Sequence, residues 1–335
     1  KLFEMDFFDK IPFVKVLEFK MKNGPLPLIS ANSLGVTIEQ AAKILQQNNI
    51  ISMPVFDDRT DEPVGIVDVI EIMKYTAFRD YFTEDHPKTN NPTPMQDLEF
   101  EELLFSIGNV GEIVENSSRA ARLHIFLKTD SMSLVMKALS KSDASHRVLI
   151  RSFTEPPTPS TTNRFTYQLL GQTDIVKYLA HQMQSNELPE AVTAVFHKTI
   201  EELGLANQTI SSVITASSSM TAIECFQKMT LEQVSALAIE NESNHVIANL
   251  SASDLRGITS SKLKLLKLPV IEFLKQMHGR QPTTPVCCLP NALLKDVLSQ
   301  ILETKVHRSW VLNASKQPIS VVSMSDIIAC AIGTQ

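Results

Sequence analysis

The sequence is poor in glycine, contains a single tryptophan and has no long apolar run. Ten of its 335 residues are glycine. It has no P-loop, no Gly-x-Ser-x-Gly nucleophile turn and no His-Glu-x-x-His metal motif. No apolar run approaches the roughly 18 residues that are needed to span a bilayer. We therefore expect no catalytic constellation, no metal site and no membrane partner, and a nucleotide-hydrolysing enzyme is the least favoured interpretation.

Cysteine is also scarce. The four cysteines are Cys225, Cys287, Cys288 and Cys330, and no Cys-x-x-Cys pair occurs. This usage predicts buried free thiols in a reducing compartment. No signal peptide is recognisable, although the chain starts at Lys1 without methionine and a truncated start stays open. We expect a cytoplasmic location, with a nuclear one also open.

The sequence also lacks an excess of positive charge. The formal net charge is −6, with 43% hydrophobic and 20% charged residues. These values are typical of a globular protein, and the length suits about two domains. Since no basic field is available, we expect no nucleic-acid partner, and any anion site has to be local.

The most informative stretch lies near the carboxyl end. Two runs rich in β-branched residues, 306–312 and 319–322, flank a polar break, which predicts a hairpin. The second run leads into Ser323-Met324-Ser325-Asp326, where a helix is predicted to begin. Asp326 either caps this helix through backbone N–H groups or binds a pair of ligand hydroxyls.

This motif is repeated three times. It recurs as Ser251-Ala252-Ser253-Asp254, as Gly171-Gln172-Thr173-Asp174 and, altered, as Asp68-Val69-Ile70-Glu71. The pair His307-Arg308 before the last hairpin recurs as His146-Arg147. Such self-similarity predicts a protein built of internal repeats.

Helical spacing and turn residues predict the order strand, helix, strand, strand, helix in each repeat. Thr37 and Gln40 form a predicted capping box at the first repeat's first helix. A single helix is predicted over 262–279, a polar connector over 83–97, and either a short strand or a linking helix at 13–17. The predicted repeats are 15–80, 119–185, 205–262 and 280–335, in modules 1–190 and 191–335.

Four such motifs in order, with two His-Arg pairs, resemble the cystathionine-β-synthase (CBS) domain. The whole pattern resembles the γ subunit of AMP-activated protein kinase and the fungal and plant γ-like proteins with four CBS repeats. The resemblance implies an α/β (α+β) fold in which four β-α-β-β-α repeats form two Bateman modules in a flat disc. The first repeat would pair with the second, and the third with the fourth.

The resemblance also implies adenine nucleotides (AMP, ADP or ATP) as ligands, without a further cofactor. The implied ribose acids are Asp326, Asp254 and Asp174, with Glu71 in the altered copy. The implied hydroxyl contacts are Ser323, Ser325, Ser251, Ser253 and Thr173. The implied phosphate ligands are His146, Arg147, His307 and Arg308. Alternatively, the His-Arg pairs are solvated strand starts and Glu71 only caps a helix.

Departures from the pattern predict unequal sites. The first repeat has Asp68 where a hydroxyl is expected, and it has Ile51 and Ser52 where the kinase subunit keeps a basic residue nearby. Gly171 removes a hydroxyl from the second repeat.

We expect an energy-sensing regulatory subunit, with kinase subunits or a phosphatase as the protein partner. The alternative is a γ-like scaffold or phosphatase-regulatory protein whose nucleotide sites are partly degenerate.

Overall fold

The computed structural model describes residues 7–11, 14–22, 31–32, 35–77, 98–117, 123–140, 146–153, 165–206 and 213–333. The polar connector predicted over 83–97 and the segment 154–164, which contains three prolines, lie outside these residues.

The first two repeats have the predicted element order. In each, a short strand pairs in parallel with the middle strand, which pairs antiparallel with the last. The first repeat consists of β1 (Ala31–Asn32), α2 (Ile38–Gln47), β2 (Ser52–Phe56), β3 (Pro63–Asp68) and α3 (Val69–Tyr75). The second consists of β4 (Ile125–Leu127), α6 (Met132–Ser140), β5 (Arg147–Phe153), β6 (Phe165–Gly171) and α7 (Gln172–Gln184).

The last two repeats follow the same order, with one exception. The third consists of β7 (Thr215–Ser217), α9 (Ala222–Leu231), β8 (Ala236–Glu240), β9 (Val246–Ser251) and a 3₁₀ helix (Ala252–Leu255). The fourth consists of β10 (Cys287–Cys288), α11 (Leu294–Thr304), β11 (Arg308–Leu312), β12 (Pro318–Ser323) and α12 (Met324–Ile332). The predicted α/β fold with four repeats is confirmed, and the third repeat closes with a 3₁₀ turn instead of an α-helix.

Further helices lie between the repeats. They are α1 (Val14–Lys22), α4 (Leu98–Ile107), α5 (Val110–Asn116), α8 (Glu190–Phe196), a second 3₁₀ helix (Ser260–Lys267) and α10 (Val270–His278). In the segment left open at 13–17, residues 14–17 are therefore helical, and residue 13 lies outside the described residues. The single helix predicted over 262–279 is wrong: Pro269, which has no N–H to donate, separates the second 3₁₀ helix from α10.

The described residues form two compact units. One combines the second and fourth repeats with α1 and α8, and the other combines the first and third repeats. In the first unit, α12 buries Ile327, Ile328 and Ala331 in the shared core. Each unit thus takes one repeat from each of the predicted modules 1–190 and 191–335. The pairing of the first repeat with the second and of the third with the fourth, and the flat disc, stay predictions.

The core of the other unit is held by aromatic packing and by capped helices. Phe226 and Phe273 meet edge to face with ring centroids 5.6 Å apart, and both are fully buried. The capping box predicted at Thr37 and Gln40 is confirmed: the Thr37 hydroxyl accepts the Gln40 N–H, and the Gln40 side chain accepts the Thr37 N–H. These contacts pack α9 against α10 and satisfy the backbone at the start of α2.

Gly257, in the unit of the first and third repeats, is expected to tolerate no side chain. Its φ is +85°, and a Cβ atom would lie 2.7 Å from Gln46 Nε2. Gly257→Ala should lower the free energy of unfolding by roughly 1–2 kcal/mol, because an L-residue is strained in this backbone region. Urea denaturation measures the change. Gly35→Ala is the control, since its Cβ would have no neighbour nearer than 3.8 Å, and equal losses in the two variants would contradict the prediction.

Candidate functional site

The candidate site is built on the four points where the last strand of a repeat runs directly into its closing helix. We call these the first (Asp68–Glu71), second (Gly171–Asp174), third (Ser251–Asp254) and fourth (Ser323–Asp326) junctions. At each one, the first residue of the helix donates its N–H to the carbonyl of the residue before the middle strand. This bond runs from Val69 to Ile51 (3.1 Å), from Gln172 to His146 (3.2 Å), from Ala252 to Ser235 (3.1 Å) and from Met324 to His307 (3.1 Å).

This shared bond places each predicted His-Arg pair beside an acid motif. Strand register sets Arg308 opposite Ser323 and Arg147 opposite Gly171. The equivalent positions at the other two junctions carry Ala236 and Ser52. The second and fourth junctions therefore combine an acid with an arginine, whereas the first and third lack the arginine.

At the fourth junction, Asp326 forms a reciprocal cap with Ser323. Its Oδ2 atom accepts the Ser323 N–H at 2.7 Å and the Ser323 hydroxyl at 2.6 Å. The Asp326 N–H in turn reaches Ser323 Oγ at 3.4 Å. The other carboxylate oxygen, Oδ1, accepts no hydrogen bond from the residues that the structure describes. Asp326 is therefore a helix cap that uses one carboxylate oxygen, and among the described residues the other oxygen has no donor.

Burial raises the pKa of Asp326 above its usual range. The hydrogen bonds from Ser323 and the positive charge of Arg308 act in the opposite direction but do not cancel the effect of burial. A further hydrogen-bond donor or cation beside Asp326 would therefore stabilise its ionised form.

At the second junction, Asp174 has the same cap and an additional cation. Its Oδ2 atom accepts the Gly171 N–H at 2.9 Å and pairs with Lys20 Nζ at 3.0 Å. Lys20 extends from α1 and also donates to the carbonyl of Leu169 at 2.7 Å. Gly171 supplies no side-chain cap. The second junction therefore holds two cations, Lys20 and Arg147, near one acid.

The second and fourth junctions meet within their unit. The Gln172 amide donates to Ser325 Oγ at 2.7 Å and to the carbonyl of Leu139 at 2.7 Å. The Thr173 hydroxyl lies 3.5 Å from Met324 Sδ. The structure thus brings the second and fourth junctions into contact, and each of them has an acid and a His-Arg pair. Ser325 and Thr173 contact the neighbouring helix, and their predicted role as ligand contacts stays a prediction.

At the third junction, both oxygens of Asp254 are occupied. Oδ2 accepts the Ser251 N–H at 2.6 Å and its hydroxyl at 3.0 Å, while Oδ1 contacts His278 Nε2 at 2.8 Å. The Ser253 hydroxyl lies 2.7 Å from Ser251 Oγ. Arg256 is turned towards the carbonyl and side chain of Asn49, and its burial lowers its pKa, which the charge of Asp254 opposes.

At the first junction, Asp68 is the helix cap and Glu71 is buried. Asp68 Oδ1 accepts the N–H groups of Ile70 and Glu71, both at 2.9 Å. The Glu71 side chain is 2% exposed, pairs with Lys74 at 2.9 Å and accepts the Ser117 hydroxyl. The alternative that Glu71 caps the helix is therefore wrong, because the shorter Asp68 carboxylate already satisfies those donors.

The sequence patterns did not predict which side chains contact the acids of the junctions. Lys20 is 154 positions from Asp174, and Ser117 is 46 from Glu71. Neither lies in a recognisable motif, since both contacts arise from packing between distant segments. Only Lys74, one helical turn after Glu71, has an i,i+3 spacing that could have indicated a pair.

The four cysteines differ in burial. Cys225 and Cys330 are buried, and burial raises the pKa of each thiol to about 12, so both are unreactive. Cys287 and Cys288 are only half-buried, which corrects the expectation that all four are buried. Among the described residues, no cluster of metal-ligating side chains and no helix able to span a membrane is found.

Comparisons with known proteins place this geometry in context. The CBS domain family matches residues 33–77 and 280–333. Protein SDS23 of Meyerozyma guilliermondii is 26% identical over 311 residues, which cover 87% of this chain and 55% of that protein. SNF1-related protein kinase regulatory subunit gamma-like PV42b of Arabidopsis thaliana is 25% identical over 225 residues, covering 58% and 59%. The chain spans about half the length of the curated relatives it matches.

One solved structure supports the fold over nearly the whole chain. The protein MJ1225 from Methanocaldococcus jannaschii, whose description relates it to g-AMPK, superposes with a TM-score of 0.65. The match covers 92% of this chain and 98% of the other, at 12% identity. At this identity the likeness establishes the fold alone.

Gly171 offers a test of the junction geometry. Its φ is −120°, and a Cβ would lie 3.6 Å from both Arg147 Cγ and the carbonyl oxygen of His146, which are ordinary contacts. Gly171→Ser should restore the cap hydroxyl and exceed Gly171→Ala in unfolding free energy by about 1 kcal/mol. Urea denaturation measures both variants. Equal stability of the serine and alanine variants would show that no cap forms.

Asp326 offers a pH test. Because burial raises its folded-state pKa above the ordinary value of 3.8, its contribution to stability is fully present below pH 3.8 and is lost as the pH rises through the folded pKa. Asp326→Asn keeps an acceptor for Ser323 but does not ionise. The variant should therefore gain stability relative to the natural chain as the pH rises from about 4 to 7. Denaturation across this range measures the difference, which exposed Asp296→Asn should not reproduce.

Proposed function

We propose that this CBS-domain protein, similar to gamma-like kinase subunits and to Protein SDS23, binds adenine nucleotides and regulates a protein partner, most simply a protein kinase. The observation that carries the proposal is the meeting of the second and fourth junctions in one unit. Both have a capped acid and a neighbouring His-Arg pair.

The chemistry of these junctions suits a nucleoside phosphate. A fixed carboxylate with an available oxygen, such as Asp326 Oδ1, can accept hydrogen bonds from the vicinal hydroxyls of a ribose. Arg147 and Arg308 carry planar guanidinium groups that suit bidentate contact with phosphate. Since the chain has no glycine-rich phosphate loop, these side chains are the natural phosphate ligands. His146 and His307 would add donors beside them.

The four junctions are expected to bind unequally. The fourth has an available acid oxygen and Arg308, so we propose that it binds most tightly. The second has Arg147 but lacks a cap hydroxyl. The first has Glu71 buried between Lys74 and Ser117, and an additional acid, Asp68, that would repel an anionic ligand. The first junction should therefore be the weakest.

The proposed action is regulatory and does not convert the nucleotide. A ligand shifts a conformational equilibrium only as far as its affinities for the two conformations differ. Bound at the second and fourth junctions, a nucleotide contacts helices α7 and α12, which pack together within one unit. Differential binding to two arrangements of these helices would change the surface that a partner contacts.

A scaffold or phosphatase-regulatory role is the second candidate. Similarity to Protein SDS23 covers 87% of the chain, whereas similarity to the gamma-like subunit covers 58%. The acids of the first and third junctions are also occupied by the chain's own side chains. Titration with AMP, ADP and ATP separates the two candidates, because the scaffold function requires none of them.

Arg308 provides the direct test. Arg308→Ala should weaken AMP binding about tenfold or more, since a hydrogen bond to a charged group contributes about 1.5–3 kcal/mol and 1.4 kcal/mol is a factor of ten. The salt dependence of the affinity should also become smaller. Isothermal titration calorimetry measures both quantities. Arg280→Ala removes the same charge at an exposed position and should have no effect.

Two outcomes would count against the proposal. If none of the three nucleotides binds the natural chain, the scaffold interpretation is preferred. If AMP binds with unchanged affinity after Arg308→Ala, the His-Arg pair of the fourth repeat is not a phosphate ligand, and it is then a solvated strand start.

A further inference from the structure

The second, third and fourth junctions each carry an aspartate, and they differ in the contacts of one carboxylate oxygen, Oδ1. At each of them, Oδ2 of the acid is used for the cap. Oδ1 accepts no hydrogen bond from the described residues at Asp174 and Asp326. At Asp254, the same oxygen lies 2.8 Å from His278 Nε2. An ionised carboxylate only accepts, so the imidazole Nε2–H is the donor in this contact.

The fold delivers His278 to this position. It is the last residue of α10, which ends at Gly279 with a left-handed φ of +65°. The helix is anchored by buried Phe273 against Phe226, and by the Val270 N–H, which donates to the carbonyl of Met220 at 2.8 Å. The backbone of α10 is therefore fixed by contacts far from the junction.

The His278 side chain itself is loosely held. It is 41% exposed, whereas the Asp254 carboxylate is 14% exposed. An exposed imidazole at a helix end can rotate away at a modest cost in free energy, while the part-buried carboxylate cannot move without breaking its cap with Ser251. The contact is thus one that a competing donor could replace.

We propose that His278 is an internal occupant of the third junction, which a ribose-bearing ligand has to displace from Asp254 before it can bind there. The proposal rests on the proposed function. The imidazole contacts the acid oxygen that, at the other two aspartate junctions, accepts no hydrogen bond from the described residues. Ala236 stands where Arg147 and Arg308 stand elsewhere, so no arginine from that strand compensates for the displacement. His278 thereby sets which junctions are occupied at low nucleotide concentration.

The experiment isolates the third junction by removing the other two acids. In a chain carrying Asp174→Asn and Asp326→Asn, AMP binding is measured by calorimetry before and after His278→Ala. Removing a hydrogen bond to a charged group should tighten AMP binding about tenfold or more. His245→Ala, in the turn of the same repeat, is the matched control and should leave the affinity unchanged. Adding Asp254→Asn to the His278→Ala chain should abolish the gain.

Each outcome decides the matter. Tighter binding that depends on Asp254 supports the proposal. Unchanged binding, or no binding in either chain, overturns it, and weaker binding after His278→Ala makes His278 a ligand contact instead. If the double background fails to fold, the number of AMP molecules bound by otherwise natural His278→Ala should rise by one at a fixed AMP concentration, and an unchanged number overturns the proposal. Absence of AMP binding to the natural chain is a separate result that contradicts the proposed function.

Discussion

The protein depends on one recurring contact, in which a side chain at the start of a closing helix satisfies the backbone where the last strand ends. At three junctions the acid at the helix's third residue accepts the N–H of the last strand residue, and at the first junction Asp68 caps the helix itself. Unsatisfied N–H groups at a helix start are costly when buried. The cap removes this cost and fixes each strand, its helix and the residue before the middle strand in one geometry.

The same cap gives the carboxylate its possible second use. Oδ2 of Asp326 accepts two hydrogen bonds from Ser323, which hold the side chain in one rotamer. The direction of Oδ1 is therefore fixed by the fold. Preorganised acceptors bind a ligand without the entropic cost of ordering a side chain. The two readings of the motif in the sequence, a helix cap and a ligand acid, are therefore compatible, since each uses a different oxygen of the same group.

The four repeats keep this backbone and differ in charge. The two arginines lie in the unit of the second and fourth repeats, and the corresponding positions of the other unit carry Ser52 and Ala236. In that other unit, Glu71 pairs with Lys74, and Asp254 contacts His278. The arginines beside the junction acids are thereby confined to one unit of a chain whose net charge is −6.

The sequence by itself determined the four repeats, because one short motif recurs in order. It also determined the helix at Asp326 and the capping box of Thr37 and Gln40, because these two features rest on contacts only three residues apart. The tertiary structure alone decided that the second repeat packs with the fourth, that Lys20 pairs with Asp174 and that His278 reaches Asp254. These features depend on the packing of segments distant in the sequence, and no local pattern of residue types encodes which distant side chain will approach a given carboxylate.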